Sequence, residues 1–237
     1  MRFISKCVVA LALGALLIGT AQADTLTDNE CVVLPNDTDV TIYLDQFDPS
    51  LGTLTNVYVN VRVQLDSARV QLDNDASVAQ GGTALVLNVA NSLTSSVSLV
   101  KTGLADSINA SDLTINEGQV FNLSATTGDT VGEFNVTNNT DYALWEPGFI
   151  IAGDSGNITS SAWAGYTGTG QFSITLNSTY LTSATFEGSN GFFEGNTPCG
   201  GFAADVCYTY TTVPEPGTLA LLAGLFGLLV IARKRRS

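Results

Sequence analysis

No histidine occurs anywhere in the chain. That absence removes the Ser-His-Asp and Cys-His catalytic arrangements and any imidazole general base. It also removes the fourth ligand from most zinc sites, and the spacings of the cysteines resemble none. Positive charge is nearly as scarce. Of nine basic residues only Arg62, Arg69 and Lys101 lie between Asp24 and Val213, against 21 acidic ones, so this stretch carries a net charge of −18. Such a surface repels nucleic acid and anionic lipid, and nucleic-acid binding is excluded as a function. A fixed-period repeat, a Pro/Ser-rich linker and a helical period are all missing between the two ends, which argues against a second domain.

The ends differ from the middle. Arg2 and Lys6 precede an apolar run, Cys7 to Thr20, and Ala21-Gln22-Ala23 then fits the small-x-small rule for signal peptidase. We expect residues 1–23 to be a signal peptide, with cleavage specified by Ala21 and Ala23 and a mature start at Asp24. The rival reading is a short uncleaved anchor. Export makes disulfides permissible for the remaining cysteines, Cys31, Cys199 and Cys207. The expected pair is Cys199–Cys207, closing the local loop CGGFAADVC; Cys31–Cys207 is the alternative, and either leaves one thiol over.

Residues 24–212 read as β structure throughout. In TNVYVNVRVQL (55–65), Val57, Val59, Val61, Val63 and Leu65 alternate with Asn56, Tyr58, Asn60, Arg62 and Gln64, the mark of a long half-buried strand. VTIYL (40–44), ALVLNV (84–89), SVSLV (96–100), QVFNLSA (119–125), GEFNVT (132–137), GQFSITLNSTYLTSATF (170–186) and VCYTYTT (206–212) read similarly, separated by turn clusters rich in Asp, Asn and Gly. The fold class expected is an all-β, antiparallel, jelly-roll-like sandwich flanked by a signal peptide and a C-terminal transmembrane helix. The glycine-rich GSNGFFEGNTPCGGFAAD after Glu187 is expected to be a long surface loop.

Candidate chemistry in the middle is thin. Asp45/Asp48 and Asp73/Asp75 are the carboxylate pairs a glycosidase would need, but acids beside Asn, Pro, Gly and Ser ordinarily form turns. No enzyme is expected, and no cofactor. A structural calcium is the one ligand the runs NDTD, DND and GDSGN suggest, although none matches an EF-hand loop. Trp145 and Trp163 are conceivable sugar-stacking platforms, but both sit beside glycine and apolar residues and are read as packing residues; a lectin-like groove would combine Trp163 or Tyr166 with Asp154.

The C-terminus is the informative part. Val213 leads into Pro214-Glu215-Pro216, then an apolar run from Leu219 to Ala232, then Arg233, Lys234, Arg235 and Arg236. The run with Gly217 and Thr218 is just long enough to span a bilayer if the basic residues snorkel, and they hold the acidic domain on the opposite side. This arrangement resembles the PEP-CTERM sorting signal of Gram-negative bacteria over 213–237. The resemblance implies recognition by a membrane-embedded exosortase, cleavage near the motif, transient anchoring in the inner membrane, and delivery to the cell surface or the exterior. Two prolines keep the segment extended and Glu215 offers one charged handle, as reading by a protease requires.

A second resemblance covers the body. QFDPSLGTLTNVYVNVRV (46–63) and GYTGTGQFSITL (165–176) are similar to the signature turns of the choice-of-anchor E domain, an extracellular domain that carries varied anchoring signals. It implies no catalytic residues. The expected function is a structural or adhesive role in an exopolysaccharide or biofilm matrix, with a glycan-binding module, then a carboxylate-based hydrolase, as the alternatives.

Overall fold

The computed structural model describes residues 22–103, 106–126, 134, 140–188, 190–196 and 198–212. Among the described residues nine strands follow in order: β1 (Ala23–Leu34), β2 (Val40–Asp45), β3 (Gly52–Asn74), β4 (Gln80–Ser95), β5 (Ile115–Leu123), β6 (Tyr142–Asn157), β7 (Gln171–Phe186), β8 (Gly191–Gly195) and β9 (Cys199–Thr212). One sheet has the order β1-β9-β3-β6, with β8 also on β3, and the other has β2-β7-β4-β5. All the strand pairs are antiparallel. Most successive strands cross between the sheets, which winds the chain as a jelly roll. The expected antiparallel sandwich is therefore what forms; the flanking signal peptide, apart from Gln22 and Ala23, and the C-terminal apolar run lie outside the described residues.

The strand read from 55–65 is the centre of the core. Val57, Val59, Val61, Val63 and Leu65 are all fully buried, and each contributes about 1.5–3 kcal/mol by leaving water. They face Ile42, Leu44, Phe172, Ile174 and Leu176 of the second sheet within one apolar cluster. The alternation changes parity after Leu65. Ser67 takes φ 59°, the register against β6 shifts between Leu65 and Ala68, and the inward residues become Ala68, Val70 and Leu72. A bulge explains this, since one inserted residue moves every later side chain to the other face. It lets a strand of 23 residues continue on one core while its partner changes from β9 to β8.

Several expectations change. The segment after Glu187 is not one long loop: Gly191–Gly195 pairs with β3 as β8, and β9 already starts at Cys199. SVSLV (96–100) forms only isolated bridges at its end. GDSGN lies inside β6, because a sheet-edge strand tolerates polar and glycine positions that a central strand does not. The strand expected at 132–137 lies, apart from Phe134, outside the described residues.

Both seams of the sandwich carry charge. At the β1/β2 seam, Asp28 and Glu30 occupy inward positions of β1. Their carboxylates accept the backbone N–H groups of Asp45 (2.7 Å) and Tyr43 (2.8 Å) on the free edge of β2. Inward charges of this kind block a strand edge from pairing with another chain. At the β6 seam the Lys101 side chain lies over Gly156, where any Cβ would collide with it.

Candidate functional site: the end of the last strand

The sorting residues Pro214, Glu215 and Pro216, the basic residues Arg233, Lys234, Arg235 and Arg236, and Ala21 of the expected signal-peptidase site lie outside the described residues. What the structure places is the strand that delivers them. β9 turns Phe202, Ala204, Val206, Tyr208 and Tyr210 into the core and is paired on both sides, to β1 and to β3. Its last two residues, Thr211 and Thr212, stand opposite Ala23 of β1 and Gly52 of β3 respectively. The Thr212 amide donates to the Gln22 carbonyl over 3.2 Å. Gly52 is required by proximity, since a Cβ there would overlap the Thr211 carbonyl. The two ends of the domain thus meet at one pole, two residues before Pro214.

The two signature turns noted in the sequence meet at that pole. The Phe47 amide donates to the Tyr166 carbonyl (2.8 Å), the Gly168 amide to the Phe47 carbonyl (2.9 Å), and the Gln46 amide to the Gly170 carbonyl (2.9 Å). The Gln46 side chain adds a bond from Nε2 to the Gly165 carbonyl, 2.8 Å. Gly168 has φ 157°, at the margin of the region only glycine visits freely. The Phe47 ring, fully buried, packs 5.0 Å from the Tyr210 ring and 5.8 Å from the Tyr208 ring. Tyr208 Oη donates to the Asp45 carbonyl, 2.8 Å. Residues 46–47 and 165–170 therefore clamp the end of β9 from inside the sandwich.

Burial raises the hydroxyls of Tyr208 and Tyr166 above the ordinary tyrosine range. Asp48 is held below the usual carboxylate range, chiefly because it accepts the Ser50 backbone amide in an Asx turn.

The expected disulfide is not present. Cys31, Cys199 and Cys207 are all free thiols. Cys199 and Cys207 sit on the same extended strand, β9, eight residues apart. At about 3.3 Å per residue their Cα atoms are roughly 26 Å apart, far beyond the ~7 Å a disulfide can bridge. The alternative fails as well. Cys31 is opposite Ala203, while Cys207 is opposite Thr27, so four ladder positions separate them.

The other candidates are distributed rather than gathered. Tyr166 is fully buried, edge-on to Phe172 at 5.0 Å, with its hydroxyl donating to the Ser98 carbonyl. It cannot present a face to a sugar. Trp163 is partly buried against the core, and its indole N–H donates to the Ile158 carbonyl, 3.0 Å. Trp145 also packs on the core. Asp154 accepts Lys101 Nζ at 2.6 Å. Asp45 accepts Gln171 Nε2, and Asp73 is fully buried. Among the described residues, no group of three or more His, Cys, Asp or Glu is placed to hold a metal ion.

Sequence reasoning missed Lys101. Its ammonium bridges Asp106 (2.9 Å) and Asp154 (2.6 Å), which raises it beyond the ordinary lysine range and draws Asp106 below the carboxylate range. The only signal was that Lys101 is one of three cations in an acidic body. A second, Arg62, pairs with Asp205 at 2.6 Å across β3 and β9, where Asn60 also donates to the same carboxylate.

Fold and terminus together define a class: a jelly-roll domain whose last core strand runs directly into a short C-terminal tail. The tail has a family. Residues 212–236 match the model described as the PEP-CTERM protein-sorting motif. The chain carries that signal, and a protein so marked is exported, anchored in a membrane on its way and processed by exosortase. No curated protein matches the chain. Among solved structures, the chain is similar to the "STIV MCP" at 11% identity over 84% of this chain, with a TM-score of 0.29. Turnip yellow mosaic virus gives 8% identity over 84% of this chain and 99% of the other, with a TM-score of 0.20. The chain spans about half the length of the first, 51%. At these scores neither likeness carries an argument.

Proposed function

We propose that this protein is delivered by exosortase through the inner membrane of a Gram-negative cell to serve as a structural or adhesive component of an exopolysaccharide-rich surface matrix. The observation that supports the reading most is the position of the sorting motif, which begins where the final core strand ends. Cleavage there releases an intact sandwich. The released part suits a hydrated, ion-bridged matrix: it carries 21 acidic residues, most of them at the surface, against three basic ones, and cations would link it to anionic polymer. The domain is of the choice-of-anchor E type, a reading supported by the interlocking of its two signature turns through the backbone of Phe47 and Gly168.

The test is intact mass and location of the native protein beside Glu215→Ala. The expected result is a secreted or surface form starting at Asp24 and ending near Pro214, lost in the variant. A wild-type mass extending to Ser237 in the membrane fraction would replace sorting with permanent anchoring. Co-fractionation of the released form with extracellular polysaccharide tests the matrix role, and a freely soluble form would refute it.

A further inference from the structure

The end of β9 changes its surroundings when the signal peptide leaves; this inference rests on the two cleavages of the function proposed above. In the uncut chain Ala23 stands opposite Thr211, and the Gln22 carbonyl accepts the Thr212 amide over 3.2 Å. The Thr212 hydroxyl is directed at the same carbonyl, 3.5 Å away. Of the described residues, cleavage after Ala23 takes away Gln22 and Ala23 alone. Asp24 stays opposite Tyr210, whose hydroxyl reaches the Asp24 carboxylate at 3.4 Å. Thr212 keeps Gly52 on its other side. Among the described residues the backbone group uncovered is therefore that of Thr212, since Thr211 turns its own N–H and C=O to β3; because β1 is the last strand of its sheet, the opening lies at the sheet margin.

Its place in the sequence says what it would take. A backbone amide left without its acceptor is a strand-pairing donor. Thr212 is two residues before Pro214, and the motif's two prolines have no N–H to offer. A protein that reads the motif in extended form must find its donors at Thr212, Val213 and Glu215, and of these only Thr212 is held in place by the described fold. Strand addition is a general way to grip such a segment. We infer that removal of the signal peptide opens the β1 side of Thr212 as a docking edge for an extended segment of the sorting enzyme, so that cleavage at the N-terminus licenses cleavage at the C-terminus.

The edge can be refilled without touching the motif. Inserting Gln-Thr between Ala23 and Asp24 keeps the Ala21-Gln22-Ala23 cleavage site, creates no second small-x-small site, and gives a mature chain that begins Gln-Thr-Asp. Wild type, the insertion chain and Glu215→Ala are expressed in the producing cell, and intact masses are followed over time. Loss of the tail should be about tenfold slower in the insertion chain, on the order of one net backbone hydrogen bond, with its two extra residues verified by mass and its melting temperature no lower than wild type. The wild type should pass through a species cut at Asp24 that retains the tail. Tail removal at the wild-type rate in the insertion chain would overturn the inference. So would any species that has lost its tail while retaining the signal peptide. A wild-type chain that keeps its tail, like Glu215→Ala, would instead remove the sorting reading on which the inference stands.

Discussion

Phe47→Ala tests whether the pole clamp fixes the end of the last strand. The ring is fully buried and packs on both Tyr208 and Tyr210. Its removal leaves the backbone bonds of residues 46–47 to 165–170 available, so the loss is one of packing. A buried Phe→Ala change costs about 3–5 kcal/mol. For domains of 150–250 residues that lowers the melting temperature by roughly 2–4 °C per kcal/mol, or about 6–20 °C in total. Phe47→Leu keeps most of the volume and loses two aromatic pairs, each worth about 0.5–1.5 kcal/mol, so it should fall between. The assay is calorimetry on the processed protein, combined with hydrogen exchange at the β9 amides. Exchange near Tyr210 should accelerate more than exchange at Val61 in mid-β3. A melting shift below about 3 °C for Phe47→Ala, or equal acceleration at both places, would refute the clamp.

Three further outcomes are expected. Peptide mapping without reductant should show no Cys199–Cys207 crosslink, and Cys199→Ser should move the melting temperature by less than about 1 °C, because no crosslink is removed. Asp106 is held below its ordinary range mainly by the hydrogen bond from Lys101. Its stabilising effect is therefore full above about pH 5 and is lost as pH falls through the lowered value; urea midpoints of wild type and Asp106→Asn should differ at pH 7 and converge near pH 2. A double change, Asp28→Ala with Glu30→Ala, removes the acceptors of two β2 edge amides. It should cost about 1 kcal/mol per bond and increase self-association in sedimentation velocity, whereas an unchanged monomer would show that the carboxylates do not guard this edge.

How far the sequence could be read follows from where each signal is local. The period of two at Val57 to Leu65 is local, since alternate side chains of a strand must face opposite ways, and it identified the central strand correctly. The sorting signal is local too, because a short extended segment beside an apolar run is recognised as linear sequence. Lys101 with Asp106 and Asp154, and Asp28 and Glu30 over β2, were illegible because each joins elements whose proximity only the sheet order creates. β6 was missed for a related reason: as an edge strand with Gly153, Asp154 and Gly156 it lacks the apolar alternation that a fully covered strand displays.

The cysteines mark the boundary between the two kinds of information. By itself the sequence determined that the chain is exported, acidic and built of alternating strands, because charge, hydropathy and side-chain period are properties of neighbours along the chain. Only the tertiary structure decided that CGGFAADVC is an extended strand rather than a closed loop, since β9 is held straight by β1 on one side and β3 on the other. The same pairing decided that the two ends of the domain lie side by side. Backbone hydrogen bonds between distant segments carry no trace in either segment alone, so the meeting of Gln22 with Thr212 could be found only once the sheet was assembled.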